Sequence, residues 1–421
     1  MTAAGNADSG NSNAKVADGG CSYDAVLLAG FGGPQGPADV MPFLRNVTAG
    51  RGVPEERLAE VAKHYEVFGG VSPINEQTEA LQQALQAELV DRGFAIPVLW
   101  GNRNWTPYLS ETVGSTRDSG RNRLLAITTS AYSSYSSCRQ YREDFGAALV
   151  AAEAIGTVRI DKIRPYFDQP GFLEPFIDAT IGALRKALAG GLEPGELEVV
   201  FTTHSIPSAM AGSSGSAALG DHGTGGAYVT QHLAACVAVM DGVRTSVSLT
   251  EEDLHWQLAY QSRSGAPTTP WLEPDINDVL PDLAAAGKRG VVLVPIGFVS
   301  DHVEVIWDLD NEATATAADL GLSLWRVSTP GTDPRFVAGL ADLIAERLGR
   351  GLPHQAIVEL PTRPDFCATQ CCVNPRGVKP TTAGQDSADD WSDTGVDPTL
   401  LAASGIVGRP AAAPQSGDHH Q

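Results

Sequence analysis

The amino-acid sequence predicts an α/β fold of two similar halves, each a doubly wound parallel sheet. Apolar, β-branched stretches of strand length alternate with helical segments over most of the chain, which is the pattern of βαβ units. Two of these strands, beginning at Leu197 and Val291, run into loops that carry His204 and Glu304. Ligands bind at the carboxyl ends of strands in such sheets, so these two loops are the first candidates for a functional site.

Local signals predict the individual elements. Pro54, with acidic residues directly behind it, favours a helix start, and Asn75 can cap the next helix, whose leucines recur every four residues. The predicted helices are residues 54–68, 76–89, 172–188, 229–240, 276–286, 304–320 and 334–348. The predicted strands are residues 25–29, 96–100, 124–128, 158–163, 258–261 and 322–327, with those that begin at 197 and 291.

The predicted domain organisation has an N-terminal half at residues 23–195 and a C-terminal half at residues 196–350. An extension at residues 351–380 carries three cysteines. Residues 1–22 and 381–421 are rich in small and polar residues with little to bury, which predicts disordered tails.

The composition excludes some classes of function. The 421 residues carry 50 acidic and 29 basic side chains, a formal net charge of −21, which argues against nucleic acid as a partner because phosphate binding needs a basic face. No apolar run is long enough for a transmembrane helix, and the N-terminus lacks a secretory signal. We therefore expect a cytoplasmic protein.

A histidine stands where the strand from Leu197 opens into a loop. His204 and Ser205 precede Pro207, which ends the strand. A lone histidine of this kind is most often a satisfied core or loop residue, and the alternative is a ligand or proton acceptor. The second strand with titratable groups at its end favours the functional interpretation.

The loop after the first strand contains Gly30, Gly32 and Gly33. These glycines suggest a dinucleotide-binding fingerprint, but Gly36 comes one residue too late for the G-x-G-x-x-G pattern. A turn is the simpler interpretation.

The loop at residues 129–137 is rich in hydroxyl groups, among them Ser133 and Tyr135. Such loops are usually solvated. Its place after a buried strand also allows it to bind carboxylates or other anions.

Three carboxylates, Glu304, Asp308 and Glu312, recur at i, i+4 and i+8. On a helix they share one stripe, where like charges destabilise by ~0.2–0.5 kcal/mol per pair. The stripe is either a solvated face or a path for a divalent cation, with His204 and Glu304 supplying one nitrogen and one oxygen at its inner end.

Several motifs together resemble the ferrochelatases, which insert ferrous iron into a porphyrin to make haem. They are residues 26–33, 69–73, 203–207, 260–263, 270–274 and 297–308, in the family's order and spacing. The resemblance covers roughly residues 23–350. It implies two similar doubly wound, Rossmann-like domains of the chelatase type with the porphyrin cleft between them.

The resemblance also implies site residues. His204 and Glu304 match the family's catalytic pair, and Asp308 and Glu312 its acidic stripe, so these four are the predicted metal-binding residues. The predicted substrate-binding residues are Phe31, Arg45, Ser72, Ser133, Tyr135 and Trp271, with Arg51 as a further contact. Phe31 stands where many bacterial relatives have a tyrosine close to the metal, so no role in metal binding is carried over to it.

The function expected from the resemblance is insertion of Fe²⁺ into a porphyrin with release of two protons. The chain looks most like the bacterial enzymes of the coproporphyrin branch, so coproporphyrin III is the expected substrate and protoporphyrin IX the second candidate. A partner that delivers porphyrin or accepts haem transiently is also expected. The alternatives are a chelatase for another metal such as cobalt, and a tetrapyrrole-binding protein without catalytic activity.

The extension resembles the segment by which some ferrochelatases hold a [2Fe–2S] cluster. The predicted ligands are Cys138, Cys367, Cys371 and Cys372, since such a cluster takes four thiolates. The adjacent pair Cys371–Cys372 departs from the family's separated spacing, and a four-cysteine zinc site or unliganded cysteines are the alternatives. Two further cysteines are excluded: Cys236 is expected in the core and Cys21 at the edge of the N-terminal tail.

Overall fold

A computed structural model describes residues 23–215, 222–264, 268–350, 353–361, 365, 371–377 and 379–382. The predicted N-terminal tail, Cys21, Cys367 and almost all of the predicted C-terminal tail lie outside these residues. Thr381 and Thr382, the first two residues of that predicted tail, are buried. The packed part of the chain therefore reaches at least two residues beyond the extension predicted at 351–380.

Within the described residues, the strands form two four-stranded parallel sheets of the same topology. The N-terminal sheet has the order β2-β1-β3-β4, and the C-terminal sheet has the order β6-β5-β7-β8. The strands are β1 (Ala25–Gly30), β2 (Val98–Asn102), β3 (Arg123–Thr128), β4 (Arg159–Lys162), β5 (Leu197–His204), β6 (His255–Gln261), β7 (Gly290–Val294) and β8 (Ser323–Arg326). In each half the first strand lies between the next two, so the predicted pair of similar α/β halves is confirmed.

Helices cover both faces of each sheet. They are α1 (Pro37–Val47), α2 (Glu55–Val67), α3 (Ile74–Asp91), α4 (Leu109–Asp118), α5 (Gln140–Ala151), α6 (Pro170–Ala189), α7 (Ser208–Gly212), α8 (Gly226–Val247), α9 (Ile276–Ala285), α10 (Val303–Val305), α11 (Thr314–Asp319) and α12 (Pro334–Arg347). Alternate residues of β1 enter two separate cores: Val26 and Leu28 pack in one, Ala25 and Leu27 in the other. This alternation is what a sheet buried on both faces requires.

One hydrophobic core joins the two halves. Helix α6 packs against α8 of the C-terminal half, and α12 packs back onto α6 and onto α3 of the N-terminal half. Phe172, Phe176 and Phe336 are buried in this shared core, where each aromatic side chain contributes roughly 1.5–3 kcal/mol of hydrophobic free energy. Helices therefore cross between the halves, and the division at residue 195 stays a prediction.

Two π-helices occur where the sequence predicted other structure. Tyr135–Arg139 forms one π-helix, where a loop was predicted up to residue 137. Ile306–Ala313 forms the other, inside the regular helix predicted at 304–320. Hydrogen bonds from i to i+5 widen the turn in a π-helix, and such turns occur frequently at functional sites.

Several helices of the structure were not among the predicted elements. The α1, α4 and α5 segments do bury apolar side chains at helical spacing, such as Tyr141, Phe145 and Leu149 of α5, so a signal for these helices was present in the sequence. No described helix is both long and apolar enough to cross a membrane.

Candidate active site

His204 is the last residue of β5, and its ring orientation is fixed by the backbone. Its Nδ1 lies 2.5 Å from the carbonyl oxygen of Ser205, and its Nε2 lies 3.7 Å from Oε2 of Glu304. A carbonyl oxygen only accepts hydrogen bonds, so Nδ1 carries a proton and the neutral ring has its free lone pair on Nε2. The ring is about one third exposed, at 35%. It therefore presents a proton acceptor beside a carboxylate at the open end of the sheet.

A buried network behind His204 holds the end of β5. The hydroxyl of Tyr228 donates to the carbonyl oxygen of His204 at 2.8 Å, and the Thr203 hydroxyl lies 2.9 Å from both Tyr228 Oη and His232 Nε2. His232 stacks on Tyr132 at 3.6 Å, and burial lowers its pKa to about 3, so it is neutral. The Nδ1–H of His232 donates to the Tyr228 carbonyl oxygen. Its Nε2 therefore accepts a hydrogen bond from the Thr203 hydroxyl.

The acidic stripe extends from Glu304 along the second π-helix. Residues four apart stay on one side of this wider turn, so Asp308 and Glu312 follow Glu304 as predicted. Glu304 is half-exposed at 51%, whereas Asp308 accepts hydrogen bonds from the Ser262 hydroxyl and from Gln261 Nε2. Burial, with a smaller contribution from the neighbouring glutamates, raises the pKa of Asp308 to about 7. The Asp308 carboxyl therefore titrates near neutral pH.

An aromatic contact joins the acidic π-helix to the N-terminal half. Trp307 stacks on His64 of α2, with ring centroids 4.1 Å apart, and its indole N–H donates to Glu312 at 2.8 Å. Burial lowers the pKa of His64, which favours a neutral ring in the stack. Neither His64 nor Trp307 was among the predicted site residues.

Uncharged groups of the N-terminal half surround the turn after β1. Phe31 follows β1 and is 37% exposed, with its ring edge-on to Phe43. Gly32, the next residue, has a φ of 82°, and a Cβ added to it would lie 2.9 Å from the Cβ of Asn102. The turn therefore requires glycine at this position. Ser72 is buried beneath the same turn, and its hydroxyl has no hydrogen-bond partner among the described residues.

The serine-rich loop is more internally bonded than the sequence indicated. Gln231 accepts from the Ser133 backbone N–H and donates to the Ser133 hydroxyl, at 2.8 and 3.0 Å. Tyr135 donates to Glu143 at 3.0 Å and is buried. Ser134 caps the π-helix that follows. Ser133 thus connects the two halves, and its predicted role in substrate binding stays a prediction.

The remaining predicted substrate contacts lie in different surroundings. Arg45 is exposed and ion-paired with Glu55. Trp271 forms a β-bridge with Pro207, beside the His204 loop, and its indole N–H is buried without a hydrogen-bond partner in the described chain. An orphaned donor of this kind, adjacent to the candidate catalytic histidine, fits a residue that contacts substrate.

Cys371 and Cys372 of the extension lie beside the C-terminal half. Cys371 Sγ and Cys372 Sγ are 3.8 Å apart, and Cys372 accepts a hydrogen bond from the Gly215 N–H at 3.2 Å. Cys138 is buried in the first π-helix. Among the described residues, no group of three or more His, Cys, Asp or Glu side chains is arranged to hold a metal ion. Cys236 is fully buried, as predicted.

Comparison with known proteins identifies the family. The sequence profile of the Ferrochelatase family matches residues 23–348, which is most of the chain. The chain belongs to the ferrochelatase family. The coproporphyrin III ferrochelatase of Leifsonia xyli subsp. xyli is 51% identical over 374 residues, covering 86% of this chain and 94% of that protein.

Other relatives agree. The coproporphyrin III ferrochelatase of Streptomyces coelicolor is 51% identical over 371 residues, covering 87% of this chain and 97% of that protein. That of Tropheryma whipplei strain Twist is 48% identical over 380 residues, covering 89% and 95%. This chain is therefore a ferrochelatase of haem biosynthesis, with porphyrin and ferrous iron as its substrates, and the predicted enzyme class is confirmed.

Proposed function

We propose that this ferrochelatase inserts Fe²⁺ into coproporphyrin III in preference to protoporphyrin IX. The close relatives named above, each a coproporphyrin III ferrochelatase, support the preference. The observation that supports the reaction most strongly is the pair of His204 Nε2 and Glu304 Oε2, 3.7 Å apart at the open end of β5. A free lone pair beside a carboxylate is suited to receive a proton or a cation.

The proposed reaction exchanges two protons for one metal ion. Fe²⁺ forms bonds to the four porphyrin nitrogens, while the two pyrrole N–H bonds break and release two protons. His204 Nε2 accepts a pyrrole proton, because the proton on Nδ1 is held by the Ser205 carbonyl. Glu304 stabilises the imidazolium that results and helps to desolvate the incoming iron. His204 and Glu304 are the proposed catalytic residues.

Asp308 and Glu312 are proposed to lead iron along the acidic π-helix toward Glu304. Carboxylate oxygens suit a hard or borderline divalent cation. Glu312 is held by the Trp307 indole and Asp308 by Ser262, so both carboxylates have fixed directions. The proposed porphyrin contacts are the predicted ones: Phe31, Arg45, Ser72, Ser133, Tyr135 and Trp271.

The extension is proposed to hold a [2Fe–2S] cluster with Cys138, Cys367, Cys371 and Cys372. The spacing of two proposed ligands supports a metal–thiolate group, since a tetrahedral metal with ~2.3 Å bonds to sulfur spaces two sulfurs by about 3.8 Å, the separation of the Cys371 and Cys372 sulfurs. The Gly215 N–H donates to Cys372, as expected for a thiolate ligand. Such a cluster would stabilise the extension. A protein purified without oxygen that is colourless and carries stoichiometric zinc would refute it.

The enzyme is further proposed to act in the cytoplasm and to meet a transient partner that delivers porphyrin or accepts haem. The test of the proposed function is anaerobic Fe²⁺ insertion into coproporphyrin III and protoporphyrin IX side by side, followed by the loss of porphyrin fluorescence. A higher kcat/KM for coproporphyrin III is expected. A higher value for protoporphyrin IX would overturn the preference. Binding without insertion would indicate a tetrapyrrole-binding protein, and insertion of Co²⁺ alone would indicate a different chelatase.

A further inference from the structure

Two glutamines reach across the junction of the halves, and each binds a loop of the opposite half. Gln77 of α3, in the N-terminal half, donates from Nε2 to the carbonyl oxygen of Asp301 at 2.9 Å and accepts from the Asp301 backbone N–H at 2.9 Å. Gln231 of α8, in the C-terminal half, accepts from the Ser133 backbone N–H and donates to the Ser133 hydroxyl. Each glutamine side chain therefore forms two hydrogen bonds with one residue of the other half.

The two glutamines occupy equivalent places in the two halves. Helices α3 and α8 are each the last helix before the second strand of their half, and both glutamines lie near the helix start. Asp301 and Ser133 follow β7 and β3, which are the third strands of the two halves and have the same position in the two sheet orders. The same contact therefore occurs twice, once in each direction across the junction.

Asp301 leads directly into the segment that carries Glu304. Helix α10 begins at Val303, two residues after Asp301, so a displacement of Asp301 would be passed on to Glu304. The Asp301 carboxylate also accepts from Arg326 of β8 at 3.1 Å, and Arg326 donates to Asp310 of the second π-helix at 2.9 Å. The Asp301 backbone is thus held by the N-terminal half, and its side chain by an arginine that also holds the π-helix.

The contact in the other direction leaves Ser133 able to bind substrate. Gln231 Oε1 faces the Ser133 N–H, so its Nε2 is the donor to the hydroxyl oxygen. The Ser133 hydroxyl then keeps its own proton for donation to an acceptor such as a carboxylate. Tyr132, the preceding residue, donates to the Ile296 carbonyl oxygen after β7 at 3.0 Å. The serine-rich loop is therefore held by the C-terminal half at two adjacent residues.

We propose that Gln77 and Gln231 are positioning residues for iron insertion: Gln77 holds residues 301–304, with Glu304, and Gln231 holds the serine-rich loop. This inference rests on the proposed function, because it takes the roles of Glu304 and of the serine-rich loop from it. Neither glutamine is assigned a contact with the reacting atoms. Together they keep the proton-exchanging and substrate-binding sides of the site aligned across the junction, where a misplacement of about 1 Å can lower a rate about 100-fold.

The first test replaces Gln77 with methionine, which is similar in size and can form neither hydrogen bond with the Asp301 backbone. The full-length enzyme, purified without oxygen, is assayed with Fe²⁺ and coproporphyrin III. Gln77→Met should lower kcat roughly 10- to 100-fold, because Glu304 is no longer held in place. The KM for coproporphyrin III should stay near its wild-type value, since Gln231 still holds the serine-rich loop.

Gln86→Met is the matched control. Gln86 lies on the same helix, is part-buried like Gln77 and also forms two backbone hydrogen bonds, to the Ile96 carbonyl at 3.2 Å and from the Val98 N–H at 2.8 Å, both within its own half. The two variants should have similar urea unfolding midpoints, and only Gln77→Met should lose turnover. Equal kcat values in the two variants would overturn the inference. So would a rise in the porphyrin KM of Gln77→Met as large as its loss of kcat, which would indicate a generally loosened junction.

Gln231→Met should show the opposite division of effects. The KM for coproporphyrin III should rise roughly fivefold, the effect of losing about one hydrogen bond, while kcat stays near wild type because Gln77 still holds Asp301. Gln231 is fully buried, so if this variant does not fold, the comparison of Gln77→Met with Gln86→Met decides alone. A folded Gln231→Met that loses kcat with an unchanged KM would overturn the inference. Failure of the wild-type enzyme to insert iron would instead overturn the proposed function.

Discussion

The two sheets have the same strand order, but the side chains at their carboxyl ends differ in chemical type. The C-terminal half carries His204 at the end of β5, Glu304 in α10 and Asp308 in the second π-helix, the residues proposed to accept protons or bind iron. Loops of the N-terminal half carry an exposed phenylalanine ring, a buried serine hydroxyl and the guanidinium of Arg103. Identical strand orders thus support two different tasks, and the proposed division is that the N-terminal half holds the macrocycle and the C-terminal half exchanges protons for iron.

The strongest test of this division is removal of the imidazole. His204→Ala should lower kcat for iron insertion by roughly 10²–10⁴-fold, the usual contribution of a positioned proton acceptor. Porphyrin affinity, measured by fluorescence quenching, should remain near wild type, because the His204 side chain, at the end of β5, is part-exposed and does not belong to the shared core. His255→Ala is the control, since His255 is exposed at the opposite end of the same sheet. Near-normal turnover in His204→Ala would refute the assignment.

A smaller effect is expected along the acidic π-helix. Asp308→Asn should raise the apparent KM for Fe²⁺ roughly tenfold, in the range seen when groups around a metal site are changed. Because burial raises the pKa of Asp308 to about 7, the carboxyl is protonated below that pH and its proton competes with the metal. The wild-type KM for Fe²⁺ should therefore fall as the pH rises from 6 to 8, and this dependence should be weaker in Asp308→Asn.

Glu312→Gln should change the iron KM in the same direction and less strongly, since Glu312 is further from Glu304 along the stripe. Asp319→Asn, an exposed acidic residue at the end of α11, is the matched control for both variants. If the iron requirement is the same in all of these proteins, the acidic stripe is only a solvated face.

The smallest effect concerns stability at the junction of the halves. Burial lowers the pKa of His232 from 6.5 to about 3, so the unfolded chain takes up a proton between these values and the folded protein does not. Its contribution to stability is complete above pH 6.5 and is lost as the pH falls below it, at about 1.4 kcal/mol per pH unit. Urea unfolding at pH 5, 6 and 7 should show a shallower pH dependence for His232→Gln than for wild type. Equal slopes would contradict this account.

The sequence was sufficient for the features that depend on local pattern. The buried strands that lead to His204 and Glu304 are apolar, β-branched runs, and the glycine turns follow from single residues. The cap predicted at Asn75 is wrong, because α3 begins at Ile74 and the Asn75 side chain bonds to the backbone of Gly33 instead. Alternation of strands and helices was enough to predict two similar halves. The spacing of the acidic residues predicted one stripe, which holds in a π-helix as well as in an α-helix.

Features that depend on long-range packing could not be predicted in the same way. Nothing in residues 306–313 distinguishes a π-helix from an α-helix, and His64 and Trp307 meet only because the two halves pack together. His232 lies on the strongly apolar helix α8. Its spacing from Tyr228, four residues earlier, was the available signal that the two rings are in contact. Ser133 was expected to face substrate, but Gln231 of the other half already bonds to its hydroxyl.

The most direct test of the division between the halves measures binding and turnover in a pair of variants, Ser72→Ala and Glu304→Gln. Ser72→Ala removes a hydroxyl from the N-terminal wall and should raise the Kd for coproporphyrin III roughly fivefold, with kcat little changed. Glu304→Gln should leave that Kd near wild type and lower kcat roughly 100-fold or more. The opposite pattern, with binding lost in Glu304→Gln and turnover lost in Ser72→Ala, would contradict the account.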